Sequence, residues 1–395
     1  GKSLAEVDLA PAGTLPPTRA ATQDLAYGAL RRYGHGDALL SALLEKPLAM
    51  PEIRALLLCA FYRLETRPEA AHTVVDQAVE AAATFARGAF RGLVNGVLRN
   101  FLRRREAIQA GLKTEVATTW HPDWWVQKLR RSYPNDWSGI IAAGNSLPPM
   151  SLRVNRRRQT RDAYLQKLAA AGIEARACGD DGLRLARPQP VDALPGFADG
   201  CVSVQDLGAQ RAAELLDVAP GLRVLDACAA PGGKTAHLLE MADLDLVALD
   251  LDTRRARRID ENLSRLGLKA AVKVGDCRET GKWWNGKPFD RILADVPCTA
   301  SGVVRRHPDS KWLRREGDIR KFARTQFEIL DALWPTLAPG GKLLYATCSV
   351  FPEENGAQID AFLVRAPGVK ELHREQLLPD DDHDGFFYAL LEKTR

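Results

Sequence analysis

The sequence predicts a three-part chain whose last and largest part is an open, doubly wound α/β domain, and three observations carry that expectation. From residue 206 onward, apolar runs of strand length alternate with amphipathic helical stretches, the pattern of parallel strands joined by crossover helices. Residues 18–106 are rich in Ala, Leu and Arg with apolar positions at helical spacing. Between the two, residues 150–205 carry shorter strand-like and helix-like runs. The expected organisation is therefore an all-helical domain at 1–145, a small α+β linking unit at 146–205 and a doubly wound α/β domain at 206–395. A chain of 395 residues exceeds what one hydrophobic core usually serves.

In the helical part, Ile53, Leu56, Leu57, Ala60 and Phe61 fall on one face, and Pro47, Pro51 and Pro68 separate helices of ordinary length. Trp120, Trp124, Trp125 and Trp137 follow in a further helical stretch and read as packing residues between helices rather than platforms for bases. Residues 145–149, with Pro148 and Pro149, read as a linker. The α+β unit then needs a strand near 151–155, a helix over 160–171 and short strands up to 204.

Composition narrows the classes of function. No apolar run approaches the roughly 18 residues of a membrane span, and the N-terminal stretch lacks the basic, apolar, small-residue order of a secretory leader. A cytoplasmic protein with no membrane partner is the simplest expectation, and a monomer the simplest assembly. The seven cysteines are odd in number, widely spread and form no Cys-x-x-Cys pair, which argues against a disulfide framework and against a bound metal. The net charge is +5, and its basic excess lies before residue 206. Arginines cluster at 99 and 103–105 and again at 153, 156–158 and 161. Arg305, Arg306, Lys311, Arg314 and Arg315 form a third cluster. Any one cluster is ordinarily a solvated face, but three in one chain favour a polyanionic partner such as RNA.

Five strands are readable in the last domain, at 223–226, 246–250, 271–275, 291–295 and 342–347, and ligands bind beyond the carboxyl ends of such strands. The first strand runs into Asp226, Cys228, Ala229, Ala230, Pro231, Gly232, Gly233, Lys234 and Thr235 before a helix begins. Glycines there let backbone N–H groups approach a ligand, and the helix start favours an anion. The run nearly matches a nucleoside-triphosphate loop, but Cys228 stands where the first glycine should be. Asp250 ends the second strand, where Rossmann-like folds place the carboxylate that accepts from ribose hydroxyls. Asp276 follows the third strand, where an acid can accept from an adenine amino group. Singly, either acid reads as a loop or cap residue; in order after successive strands they indicate a nucleoside cofactor.

The fourth and fifth strands end in Asp295-Val296-Pro297-Cys298 and Thr347-Cys348-Ser349. Two cysteines at neighbouring strand ends are badly placed to be core filling. Methylation of cytosine carbon 5 accounts for both, because that carbon is too weak a nucleophile unaided. A thiolate must first add to carbon 6, an acid must stabilise the charge that develops at N3, and the carbon 5 proton must later be removed. Asp295 is the available acid. One cysteine is the nucleophile and the other assists release, and the residues alone leave open which is which.

These stretches resemble the Nol1/Nop2/Sun family of RNA cytosine-C5 methyltransferases. The matching pieces are Leu152-Arg153-Val154-Asn155, Val204-Gln205-Asp206, the run from Asp226 to Lys234, Asp250, Asp276, both cysteine motifs and the terminal Asp384-Gly385-Phe386-Phe387. Together they span residues 150–395 nearly end to end. Arg305 to Trp312 and Pro352-Glu353-Glu354-Asn355 resemble the bacterial subgroup that methylates 16S ribosomal RNA and carries a NusB-like helical RNA-binding domain. The resemblance implies S-adenosylmethionine as cofactor, held by Cys228 to Lys234, Asp250, Asp276 and Asp295. It further implies Cys348 as nucleophile and Cys298 as the group that assists release. One departure stands out: Thr299-Ala300-Ser301-Gly302 replaces the commoner Ser-Gly-Thr-Gly, and little functional consequence is expected because the backbone turn rather than the side chains matters there. An adenine amino-methyltransferase would carry Asn/Asp-Pro-Pro-Tyr/Phe after the fourth strand, which this chain lacks. Transfer RNA as substrate, or an RNA-binding scaffold with an inert catalytic half, remain as alternatives.

Overall fold

The computed structural model describes Leu4, Val7, Leu9 and residues 14–394, so most of the stretch read for a leader lies outside the described residues. Two compact units emerge, Gly1–Ser146 with Val304–Arg314, and Leu147–Val303 with Arg315–Arg395.

In the first unit the longer helices are Pro16–Arg31, Tyr33–Leu43, Pro51–Thr66, Ala71–Ala83 and Arg91–Gly111. Pro51 opens the third, where its fixed φ and missing N–H cost nothing. The periodic face is the buried one: Ile53, Leu57, Ala60 and Phe61 join Leu39, Val94, Leu98 and Phe101 in one core, with Leu56 half-buried at its edge. Shorter helices follow at Glu115–Thr119, Asp123–Ser132 and Trp137–Asn145. Trp125 is buried against Trp124, and guanidinium groups of Arg32 and Arg130 cover the rings of Trp120 and Trp137. Packing occupies these tryptophans, as the sequence suggests.

The segment Val304–Arg314 packs within this helical unit although it lies far along the chain. Trp312 Nε1 donates to Leu30 O at 2.9 Å, and Lys311 Nζ donates to Arg31 O and Asn145 Oδ1, both at 3.0 Å. These bonds satisfy carbonyls at a helix end that lack a partner inside the helix. Arg31 donates in return to Arg305 O at 2.8 Å. Lys311 and Arg305 are buried, and burial drives the Lys311 pKa well below the ordinary lysine value. The third basic cluster is therefore corrected in part: Arg305 and Lys311 are interior groups, drawn inward with Val304 and Trp312, rather than a face for a polyanion.

The second unit holds two sheets. The smaller has strand order β2-β3-β1-β4, all antiparallel, from β1 Ser151–Val154, β2 Ala175–Cys178, β3 Gly182–Leu185 and β4 Val202–Val204. Its helix Arg161–Ala170 is capped by Thr160, whose hydroxyl accepts from Ala163 N–H. The larger sheet contains β5 Arg223–Ala227, β6 Asp245–Asp250, β7 Ala271–Val274, β8 Phe289–Asp295, β9 Leu337–Thr347, β10 Val369–Leu377 and β11 Phe386–Lys393. Their order is β10-β11-β9-β8-β5-β6-β7. Strands β5 to β9 are mutually parallel, whereas β11 runs antiparallel to both β9 and β10.

The five strands read from the sequence form the parallel part of the sheet, and β10 and β11 add an antiparallel edge that makes it mixed. The central strands are buried on both faces, which is why they read as continuous apolar runs. β10 is an edge strand with Lys370, Glu371, Arg374 and Glu375 along it, and its charges hide the strand signal.

Arg153, counted above in a basic cluster, is also interior. Its guanidinium forms a two-bond pair with Glu240 at 2.8 and 2.9 Å and donates to Gly233 O at 2.9 Å, with both side chains essentially unexposed. One buried ion pair thus ties β1 to the helix Gly233–Met241, at whose start the cofactor turn lies.

Candidate active site

The carboxyl ends of the parallel strands converge on a cleft of about 300 Å³, at the low end of ligand-sized cavities. Its wall includes Cys228, Asp250, Asp276, Asp295, Cys298 and Cys348.

After β5 the chain turns through Cys228, whose φ of 67° lies in the left-handed region, and Gly232 at 95°. A β-carbon on Gly232 would sit 3.1 Å from Ile259 Cα, so glycine lets the turn lie against the helix Thr253–Leu266. That helix also fastens the turn, since Arg255 donates to Ala230 O at 3.0 Å and Asn262 to Pro231 O at 2.8 Å. Sequence reasoning missed both residues. Their spacing of seven places them on one helix face, but nothing local marks what that face touches. Ala229, Ala230, Pro231, Gly232, Gly233 and Lys234 form the turn and helix start without lining the cleft itself.

Asp250 accepts from the N–H groups of Ala230 at 3.0 Å and Asp252 at 3.1 Å, so β6 and the turn brace each other. Asp276 is paired with Arg278 at 2.6 Å, and that pairing holds its carboxyl below the usual carboxylate range. An adenine amino group would have to share this acid with the guanidinium. Asp226 does not reach the cleft. It is buried behind the turn, one oxygen accepts from Thr235 at 2.5 Å, the other has no partner, and burial raises its pKa to about 7.

Asp295 is paired with Lys234 at 2.6 Å. Burial works against the Lys234 ammonium, but Asp295 outweighs it and raises the lysine's pKa. The two cysteines meet: Cys298 Sγ and Cys348 Sγ are 3.4 Å apart, with Cys298 buried and Cys348 half-buried. The hydrogen bond to Cys348, together with burial, raises the Cys298 thiol well above an ordinary cysteine.

The turn through Ala300 bears on the departure noted in the sequence. Ala300 has a φ of 60°, a conformation that glycine adopts without strain and alanine does not. The commoner glycine at this position would adopt the turn without that strain, a consequence for stability rather than function. Gly302 is required for a different reason, as a β-carbon there would lie 2.3 Å from Gly385 O.

An apolar wall edged by carboxylates at the ends of β6, β7 and β8 suits a nucleoside that carries a cationic sulfonium. With five parallel strands and a reversed β11 between β9 and β10, the fold and cleft define an S-adenosylmethionine-dependent methyltransferase. Residues 213–392 match the family described as 16S rRNA methyltransferase RsmB/F, residues 121–192 its ferredoxin-like domain, and residues 3–103 the NusB family. Ribosomal RNA small subunit methyltransferase B of Pseudomonas syringae pv. tomato is 49% identical, covering 95% of this chain and 89% of its own length. The protein of that name in Pseudomonas putida is 50% identical over 95% of this chain and 90% of its own. Among solved structures, PH0851 superposes with a TM-score of 0.83 at 25% identity, covering 97% of this chain and 92% of its own. This chain belongs to the ribosomal RNA small subunit methyltransferase B family.

Proposed function

We propose that this protein methylates carbon 5 of a cytosine in 16S ribosomal RNA through a covalent bond between Cys348 and carbon 6. The observation that carries the reading is the pair of sulfur atoms 3.4 Å apart on the wall of the cofactor cleft. Core-filling cysteines have no reason to meet at two strand ends, whereas this reaction requires two groups at one ring.

S-adenosylmethionine supplies the electrophilic methyl group. Cys348 adds to carbon 6 as the thiolate, and ring electrons move toward N3 and O2. As those electrons arrive N3 takes a proton from water and donates it in a hydrogen bond to the Asp295 carboxylate, whose charge Lys234 balances, and the proton returns to water when the aromatic ring is restored. Carbon 5, now enamine-like, takes the methyl group. In the resting pair Cys298 keeps its proton because the sulfur–sulfur hydrogen bond with Cys348 and burial both oppose its ionisation. Once Cys348 is bonded to carbon it carries no charge and that hold is lost, so Cys298 can ionise and remove the carbon 5 proton. The electrons of that C–H bond reform the 5,6 double bond and expel Cys348 as thiolate. The target base must leave its helix to reach the cleft.

Denaturing gels with RNA and S-adenosylmethionine test this. Cys298→Ala should accumulate a heat-stable protein–RNA band and Cys348→Ala none. The reverse pattern would exchange the two roles, and no band from either variant or from wild type would refute the covalent route.

A further inference from the structure

The mechanism leaves unused a buried acid beneath the two cysteines. Glu354 is fully buried, and among the described residues no cation is paired with it. Its Oε1 accepts from Thr299 N–H at 2.8 Å and from Gln326 Nε2 at 3.3 Å, and its Oε2 from Thr299 Oγ1 at 2.5 Å and Ser349 Oγ at 2.6 Å. Thr299 follows Cys298 and Ser349 follows Cys348, so one carboxylate grips both cysteine loops. Ser301 and Ser349 hydroxyls meet at 2.8 Å, Tyr345 OH donates to Glu354 O at 2.6 Å, and Asn355 Nδ2 donates to Ser349 O at 2.8 Å. A carboxylate is acceptor-only, and here it faces donors from both loops.

We infer that Glu354 is a positioning residue for the thiol pair: its carboxylate joins the two cysteine loops and fixes the spacing of their sulfur atoms. The inference rests on the reading of these thiols as the catalytic pair. The groups facing Cys298 are Cys348, Glu354 and Tyr345, and those facing Cys348 include Cys298, Lys234 and Tyr388. Among the described residues Glu354 is the one carboxylate that bonds to both loops, and its negative charge disfavours ionisation of Cys298.

The test is Glu354→Gln in the full chain, which keeps the shape but removes the charge and substitutes donors for acceptors. Iodoacetamide labelling across pH, mapped by peptide mass spectrometry, should show Cys298 about tenfold more reactive near neutral pH, because loss of the Glu354 charge lowers the thiol's pKa. Methyl transfer should fall about 100-fold in kcat, the scale of a small misplacement of reacting groups, with the affinity for S-adenosylmethionine unchanged. Wild-type labelling together with wild-type kcat would overturn the inference. Should Glu354→Gln fail to fold, Thr299→Val and Ser349→Ala each remove one arm of the grip. Each should lower kcat and the double variant should cost less than the product of the two, whereas strictly multiplicative losses would overturn a shared role. The labelling needs no RNA, so it judges Glu354 even if wild type forms no RNA adduct, the result that would sink the functional reading.

Discussion

Replacing Arg153 by Met should destabilise the second unit by about 3–5 kcal/mol, the usual cost of removing one partner from a buried ion pair. Arg153 and Glu240 are 0% and 1% exposed, so the change leaves a buried carboxylate without its bonded partner, with only the more distant Arg265 in electrostatic reach. The acceptors on Gly233 and Gln205 lose their donor as well. For a unit of this size each kcal/mol shifts the melting temperature by about 2–4 °C, so a drop of about 10 °C should appear in calorimetry. Combining Arg153→Met with Glu240→Leu should recover most of the loss, because two apolar side chains of similar volume need no charge compensation. Affinity for S-adenosylmethionine should fall in the single variant, since the lost bond to Gly233 O loosens the start of the helix behind the cofactor turn. The argument fails if the single variant costs under about 1 kcal/mol or if the double variant is no better. A phosphate-binding Arg153 would instead leave stability intact and lower the salt dependence of RNA binding by about one unit of slope.

Lys311→Met should leave that salt dependence unchanged because the amine is buried, whereas Arg103→Gln with Arg104→Gln, on the exposed side of their helix, should reduce it by about one to two. Asp226 should make stability fall as pH rises from its unfolded value near 4 through about 7, because its folded pKa is the higher of the two and the stabilising contribution exists only while the acid is protonated. Asp226→Asn should remove that slope, worth of order 4 kcal/mol, in denaturation midpoints measured from pH 4 to 8; an unchanged slope would refute the assignment. Ala300→Gly should raise stability by about 1 kcal/mol by relieving the left-handed turn, read by urea denaturation, and a loss of similar size would show that the methyl group's packing matters more.

How much of this was legible depends on what each residue's signal required. The parallel strands β5, β6, β8 and β9 announced themselves because burial on both faces leaves unbroken apolar runs, and the acids and cysteines were legible because they stand just past those runs. β10 was missed because its solvated edge carries charges, and β11, with an apolar run of six residues from Phe386 to Leu391, cannot be told from a helical segment by periodicity. Arg153 and Lys311 were misread for one shared reason: a sequence shows a positive charge but not the carboxylate or carbonyl that will meet it. Glu240 lies 87 residues from Arg153, and Arg31 lies 280 from Lys311.

The choice between the two cysteines shows the same limit at the site itself. Each follows a buried strand, and cytosine methylation needs two groups, so the strands and the chemistry together leave the pair symmetric. Three-dimensional surroundings break the symmetry. Cys298 is buried and bonded to its partner, with the carboxylate of Glu354 below it, and all three influences oppose its ionisation. Cys348 is more open and has a lysine ammonium nearby. These surroundings oppose a thiolate on Cys298, and that is the physical ground for proposing Cys348 as the nucleophile, the role the family resemblance also implies.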